Sequence, residues 1–181
     1  VNVADSETKL IAEGRHIRFV SRNGWEFAER KQISGIVGIV AVTDENKLIL
    51  VEQFRPPVNR RVIELPAGLA GDVAGSEDEA METAARRELM EETGYEAKEM
   101  TRLVDGAVSA GITSEIITLF RAVGLRKTGA GGGDATETIQ VYEIPVDQVH
   151  EWVQKRRQDG AIVDFKVYAG LFFVNCDRAK Q

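Results

Sequence analysis

Residues 9–32 alternate weakly between apolar and polar positions and include Ile11, Phe19, Val20 and Trp25. Gly14 and Asn23-Gly24 punctuate them, which predicts short antiparallel strands joined by turns. Residues 33–43, ISGIVGIVAVT, form an apolar run that reads as a strand. Asp44-Glu45-Asn46 supplies a turn, and residues 47–54, KLILVEQF, return as its partner. Pro56-Pro57 breaks regular structure, and residues 61–65 read as another strand. Residues 66–76, PAGLAGDVAGS, have no periodicity and read as a loop. From Glu77 to Thr93 the pattern is helical, and Gly94 stops it. Residues 116–123 and 138–144 read as strands, and residues 146–157 and 161–175 as helices. Between the two late strands, residues 126–136 hold four glycines and read as a mobile loop. Hairpin-like neighbours dominate the first half and helices are interleaved later, so the expected class is α+β with a mixed sheet.

Composition narrows the function classes. The chain has 181 residues, 43% hydrophobic and 29% charged, enough for a buried core under a charged surface. The formal net charge is −6 and no basic stripe is present, which argues against a nucleic-acid partner. Lys155-Arg156-Arg157 is short and reads as a solvated helix end. No apolar run approaches membrane-spanning length, and the first ten residues, VNVADSETKL, show no secretory signal. A single cysteine, Cys176, rules out an intramolecular disulfide and suits the cytoplasm; it follows Leu171-Phe172-Phe173-Val174 and reads as packing. The two histidines, His16 and His150, stand far from every motif and read as non-catalytic.

Candidate chemistry concentrates in residues 86–95, RRELMEETGY. Glu88, Glu91 and Glu92 are related by i, i+3 and i+4, so a helix projects their carboxylates from one face. Such a patch is either spread out in solvent or held by a divalent cation. Hard oxygen ligands suit Mg²⁺, which keeps several waters and is often completed by substrate phosphates, and Mn²⁺ accepts the same donors.

The segment resembles the box of the Nudix hydrolase superfamily. That pattern is Gly, five residues, Glu, seven residues, then Arg-Glu-aliphatic-any-Glu-Glu-any-Gly-aliphatic. Residues 87–95 match the second half, with Tyr95 in the last apolar place, and seven residues separate Glu79 from Arg87. Ten residues separate Gly68 from Glu79, which reads as a five-residue insertion in the loop before the helix. Glu79 also fits a capping box with Ser76. Flanking segments resemble the ADP-ribose and nucleoside diphosphate sugar pyrophosphatases of the superfamily. Glu64-Leu65-Pro66-Ala67-Gly68 precedes the box, and Glu52-Gln53-Phe54-Arg55-Pro56 precedes that. Ser109-Ala110-Gly111-Ile112-Thr113-Ser114-Glu115 is similar to the subfamily's Ser-Pro-Gly segment, with Ala110 in place of Pro. Residues 24–30, GWEFAER, are similar to the N-terminal strand that supplies a base-stacking aromatic.

The resemblance implies a Nudix-type α/β/α sandwich with a mixed sheet over residues 33–181. A short antiparallel β element over residues 1–32 would precede it and serve dimerisation and base binding. It implies an Mg²⁺-dependent pyrophosphohydrolase that cleaves ADP-ribose or another nucleoside diphosphate sugar to a nucleoside monophosphate and a sugar phosphate. Metal would sit on Glu88, Glu91, Glu92 and the Ala67 carbonyl, with Arg87 orienting the carboxylates. Substrate would meet Trp25, Arg30, Arg55, Glu64, Ser109 and Gly111. For Trp25 the alternative is a core or dimer-interface aromatic, and for Arg55 a surface residue at a strand end. The general base would be Glu137 in the glycine-rich loop, with Glu91 second and Asp134 close by; an alternative family position falls on Ala135. The resemblance also implies a homodimer with exchanged N-terminal strands. Competing readings are a Nudix hydrolase of nucleoside triphosphates or dinucleoside polyphosphates, and a non-catalytic nucleotide-sugar sensor on the same fold.

Overall fold

The weak alternation near the start folds as a three-stranded antiparallel sheet of β1 (Lys9–Glu13), β2 (Ile17–Arg22) and β3 (Trp25–Arg30). The computed structural model of the protein describes residues 7–73, 75–133 and 138–178. Next come β4 (Gly35–Ala41), β5 (Lys47–Arg55), β6 (Arg60–Glu64) and β7 (Ala67–Ala70), then helix α1 (Met81–Thr93). Two long strands follow, β8 (Tyr95–Ala107) and β9 (Ile116–Lys127). The chain ends with β10 (Gln140–Pro145), α2 (Val149–Gln158), β11 (Ile162–Val163) and α3 (Phe165–Arg178).

The strands after β3 form two four-stranded sheets, in the orders β7-β4-β9-β8 and β10-β5-β6-β11. Both are mixed: β4 runs parallel to β9 and β6 parallel to β11, while the other pairs are antiparallel. The run Ile36–Ala41 is apolar on both sides because both faces of the sheet are covered. Ile36 and Val40 face one cluster with Leu48, Leu50, Ile63, Val149, Val153, Val167 and Val174, beneath α2 and α3. Val37, Ile39 and Ala41 face the other with Ile49, Ala84, Ala85, Leu89, Phe120 and Ala122, beneath α1. The result is the expected α+β architecture, helices on both sides of mixed sheets after an antiparallel N-terminal element.

Several boundaries differ from the sequence reading. Residues 67–70, read as loop, pair antiparallel with β4 from Ala67↔Gly38 to Ala70↔Gly35. Helix α1 begins at Met81 rather than Glu77, with Ala80 at the N-cap and no side-chain cap bond. The Ser76–Glu79 capping box therefore does not form; the Glu79 carboxylate is engaged by Arg87 and by the Gly71 amide. Helix α2 begins at Val149 rather than 146. Residues 162–163 join β6 as a short strand, and α3 starts only after Asp164, whose side chain accepts the Lys166 amide at 2.7 Å. Strand β8 had no sequence signal: most of its residues are exposed, with no apolar run or clean alternation, and it is held by its long ladder to β9.

Candidate active site

Helix α1 buries a stripe of Ala84, Ala85, Glu88, Leu89, Glu92 and Thr93. That spacing is one helical face, yet two of its positions are glutamates. A buried carboxylate is costly unless it is partnered, so the residues around Glu88 and Glu92 define the site.

Glu92 accepts the Ala67 amide at 3.0 Å, which fixes the Pro66–Ala67 peptide. The preceding carbonyl, Pro66 O, accepts the Ile39 amide at 2.8 Å and locks the segment onto β4. Glu88 packs directly on Gly68. A Cβ built at that glycine would lie 1.9 Å from the Glu88 carboxyl carbon, so glycine leaves the room that the Glu88 carboxylate occupies. Burial pushes the Glu88 carboxyl up to about 7, against the pull of Arg87.

Arg87 gathers the acidic groups. Its Nε donates to Glu79 at 3.1 Å, and one terminal nitrogen donates to Glu88 at 2.9 Å and Glu91 at 3.1 Å. The other donates to the Leu69 carbonyl at 2.8 Å, to Glu79 at 3.1 Å and to Asp72 at 3.3 Å. The planar fork of Arg suits this spread of acceptors. Arg87 holds the Glu79 carboxyl below its usual range, and the surrounding carboxylates raise Arg87 itself. Asp72 comes from the insertion, a contribution the sequence did not indicate.

The donor set around α1 is wholly hard oxygen: Glu88, Glu91, Glu92 and the Ala67 carbonyl. It fits Mg²⁺ in chemistry. No three acidic, imidazole or thiol groups among the described residues form a finished cage. Glu91 is turned onto Arg87, so waters and substrate oxygens would have to complete the coordination.

Arg55 and Glu64, both candidates for substrate contact, are joined by a 2.7 Å ion pair between β5 and β6, with Glu64 buried. A second cluster lies on the N-terminal sheet. The Ala28 amide donates to Ile112 O at 2.8 Å and the Ser114 amide to Ala28 O at 3.2 Å, tying β3 to the segment that contains Ser109 and Gly111. Within it the Ser109 carbonyl accepts the Ile112 and Thr113 amides, both at 2.9 Å. Arg30 is engaged by Glu115 at 2.6 Å. Trp25 is 68% exposed, which sets aside the core alternative for it.

The glycine-rich segment lies against the end of α1 up to Gly133, and the Ile139 amide donates to Gly132 O at 3.3 Å. Glu137, Asp134 and Ala135 lie outside the described residues. Sequence reasoning missed one cluster entirely. Buried Glu52 accepts from Tyr142 at 2.7 Å, Arg61 at 3.0 Å and Arg156 at 2.5 Å. Lys155 and Arg157 are exposed in the last turn of α2, as expected of a solvated helix end, and only Arg156 turns inward. The only available signal was a Glu at an inward position of an apolar strand.

The NUDIX domain family matches residues 34–166. The chain is 37% identical over 148 residues to an ADP-ribose pyrophosphatase of Bacillus subtilis, covering 81% of this chain and 75% of that one. It is 42% identical over 144 residues to an ADP-ribose pyrophosphatase of Mycobacterium tuberculosis, covering 78% of this chain and 65% of the other. It is also 38% identical over 146 residues to a methanol dehydrogenase activator of Bacillus methanolicus, with 80% and 74% covered. A solved structure of an ADP compounds hydrolase shares the fold, with a TM-score of 0.62 at 22% identity over 80% of each chain. The chain belongs to the NUDIX domain family, and α1 with the strand beneath it is the box of a Nudix hydrolase.

Proposed function

We propose that the protein hydrolyses the diphosphate of ADP-ribose or another nucleoside diphosphate sugar, releasing a nucleoside monophosphate and a sugar phosphate. The observation that carries this reading is the pair of buried carboxylates, Glu88 and Glu92, pressed on Ala67-Gly68 with Arg87 alongside. A buried acidic face beside a backbone carbonyl suits a cation and an anionic substrate better than it suits core packing. Relatives named ADP-ribose pyrophosphatase and GDP-mannose pyrophosphatase support the substrate class.

Glu88, Glu91, Glu92 and the Ala67 carbonyl would hold Mg²⁺, with Mn²⁺ as a substitute. When bound, the metal supplies charge neutralisation for the diphosphate and a water of lowered pKa. Arg87 keeps the carboxylates oriented by donating to Glu88 and Glu91 at once. Arg55, held by Glu64, offers planar donors to a phosphate. Exposed Trp25 stacks a nucleobase, a contact any base can make. Arg30, paired with Glu115, stands beside the segment that carries Ser109 and Gly111. Glu137 takes the proton of the attacking water, with Glu91 as the second candidate.

Homodimerisation belongs to the same reading. Leu10, Ile11, Ile17, Phe19 and Trp25 are all exposed on the N-terminal strands, apolar area spread over both faces of that sheet that a second copy with exchanged strands would cover. No helix among the described residues is long and apolar enough to cross a membrane. A reducing compartment such as the cytoplasm suits a chain with one cysteine.

The test is product analysis on ADP-ribose, several nucleoside diphosphate sugars and nucleoside triphosphates, with Mg²⁺ and with EDTA. The expected result is metal-dependent cleavage of a diphosphate sugar to nucleoside monophosphate and sugar phosphate. Preference for triphosphates would replace the substrate class. Tight binding without cleavage would identify a sensor on this fold.

A further inference from the structure

The last carbonyls of a helix have no partners within it, and the last turn of α1 carries Glu91 and Glu92. Residues 128–133 supply those partners. The Gly132 amide donates to Glu92 O at 2.8 Å and the Gly133 amide to Glu91 O at 3.1 Å. Gly94 donates back to Met90 O at 2.8 Å, and its own carbonyl accepts from Thr128 at 2.9 Å and Gly129 at 3.1 Å. The backbone of two acidic box residues is thus capped by a segment more than thirty positions away in the chain.

Glycine is what lets the segment seat. Gly131 has φ of 67°, and a Cβ there would lie 2.4 Å from the Thr93 carbonyl carbon and 2.8 Å from Glu92 O. Those neighbours are backbone and cannot yield. On the helix side, a Cβ at Gly94 would meet Gly129 O at 2.2 Å. The two segments therefore touch glycine to backbone on both sides.

We propose that Gly129–Gly133 is a positioning strap for the acidic box: by capping the end of α1 it holds Glu91 and Glu92 in register for metal, and Gly131 is the residue on which its seating depends. The inference rests on the reading that Glu88, Glu91 and Glu92 hold the metal. A helix end left uncapped frays, and a carboxylate on a frayed turn is one the ion must first order.

The experiment combines amide hydrogen exchange with Mn²⁺ titration of the full chain, followed by electron paramagnetic resonance. In wild-type protein without metal, the Gly132 and Gly133 amides are expected to exchange about a hundredfold more slowly than unstructured glycine. In Gly131→Ala, amides of the last turn of α1 should exchange faster, and Mn²⁺ should bind about tenfold or more weakly, as when an outer partner of a metal ligand is lost. Gly160→Ala is the control. Gly160 has φ of 92° but open space around it, so it carries the same kind of backbone strain without touching α1. It should leave Mn²⁺ affinity unchanged. Gly131→Ala with wild-type protection and wild-type affinity overturns the proposal. If that variant does not fold, the wild-type amides decide: random-coil exchange at Gly132 and Gly133 overturns the strap. Absence of Mn²⁺ binding by wild-type protein overturns the metal reading and this role with it. Normal binding with unprotected glycine amides overturns the strap alone.

Discussion

Glu52→Gln tests whether the buried Glu52 cluster is an ionic tie. The Glu52 side chain is 2% exposed, and its two charged partners are unequal: Arg61 is 43% exposed and Arg156 28%. Glutamine keeps the shape but has one acceptor oxygen. Placed at the Oε2 position, that oxygen retains Tyr142 and Arg156, and the new amide faces Arg61, which can turn to water. Hydrogen bonds to charged groups are worth about 1 kcal/mol more than neutral ones, so neutralising the acceptor of the two retained bonds removes about 2 kcal/mol. Losing the exposed Arg61 pair adds about 0.5 kcal/mol. The total is about 2–3 kcal/mol, which for a domain of this size lowers Tm by about 4–12 °C. Urea and thermal unfolding measure it. A double-mutant cycle should give a larger coupling of Glu52 to Arg156 than to Arg61, because Arg156 Nε is buried without an acceptor among the described residues. A Glu52→Gln protein that melts within 1 °C of wild type (~0.3 kcal/mol) would refute the reasoning, since it would mean the site is indifferent to charge.

The same cluster sets an acid limit. Burial pushes Glu52 up, but Tyr142, Arg61 and Arg156 outweigh it and hold the carboxyl below its ordinary 4.5; Tyr95 and Lys127 hold Glu143 below 4.5 despite its partial burial. Both folded values are depressed, so their stabilisation is complete above 4.5 and is lost as pH falls below it through the folded values, and unfolding measured from pH 6 to pH 2 (a range of roughly four units) should show it, whereas Glu52→Gln should show a shallower acid slope. Glu88→Gln should abolish most turnover, about a hundredfold or more, while remaining folded by circular dichroism; retained turnover at saturating Mg²⁺ would remove Glu88 from the metal set. Glu137→Gln should lower kcat by about 10²–10⁴-fold with little change in KM, and unchanged turnover at saturating Mg²⁺ would exclude it as the base. Trp25→Ala should raise KM by about 5–100-fold, as loss of one stacked base implies, with kcat nearly intact; an unchanged KM accompanied by loss of the dimer in sedimentation would reassign Trp25 to the subunit interface.

What the sequence determined by itself is local. The i, i+3, i+4 placement of Glu88, Glu91 and Glu92 needs only a helix, and the helix was legible from its own periodicity and a glycine at position 94. The apolar runs of β4 and β5 likewise announced strands, and the structure adds that both faces are buried. Tertiary structure decided everything that depends on which distant segment arrives. The sequence treated three glutamates alike, but the strand Ala67–Ala70 buries Glu88 and Glu92 and leaves Glu91 exposed. Arg87 meets Leu69, Asp72 and Glu79 only because β7 and the insertion fold back along α1. Within the basic triplet at 155–157, Arg156 looked as solvated as its exposed neighbours because Glu52, its buried counter-charge, lies 104 positions away. Strand β8 was invisible because its ladder to β9, not its own pattern, makes it a strand. Periodicity records the face an element turns to its neighbours; it does not record who those neighbours are, and burial, charge pairing and helix capping are properties of the neighbour.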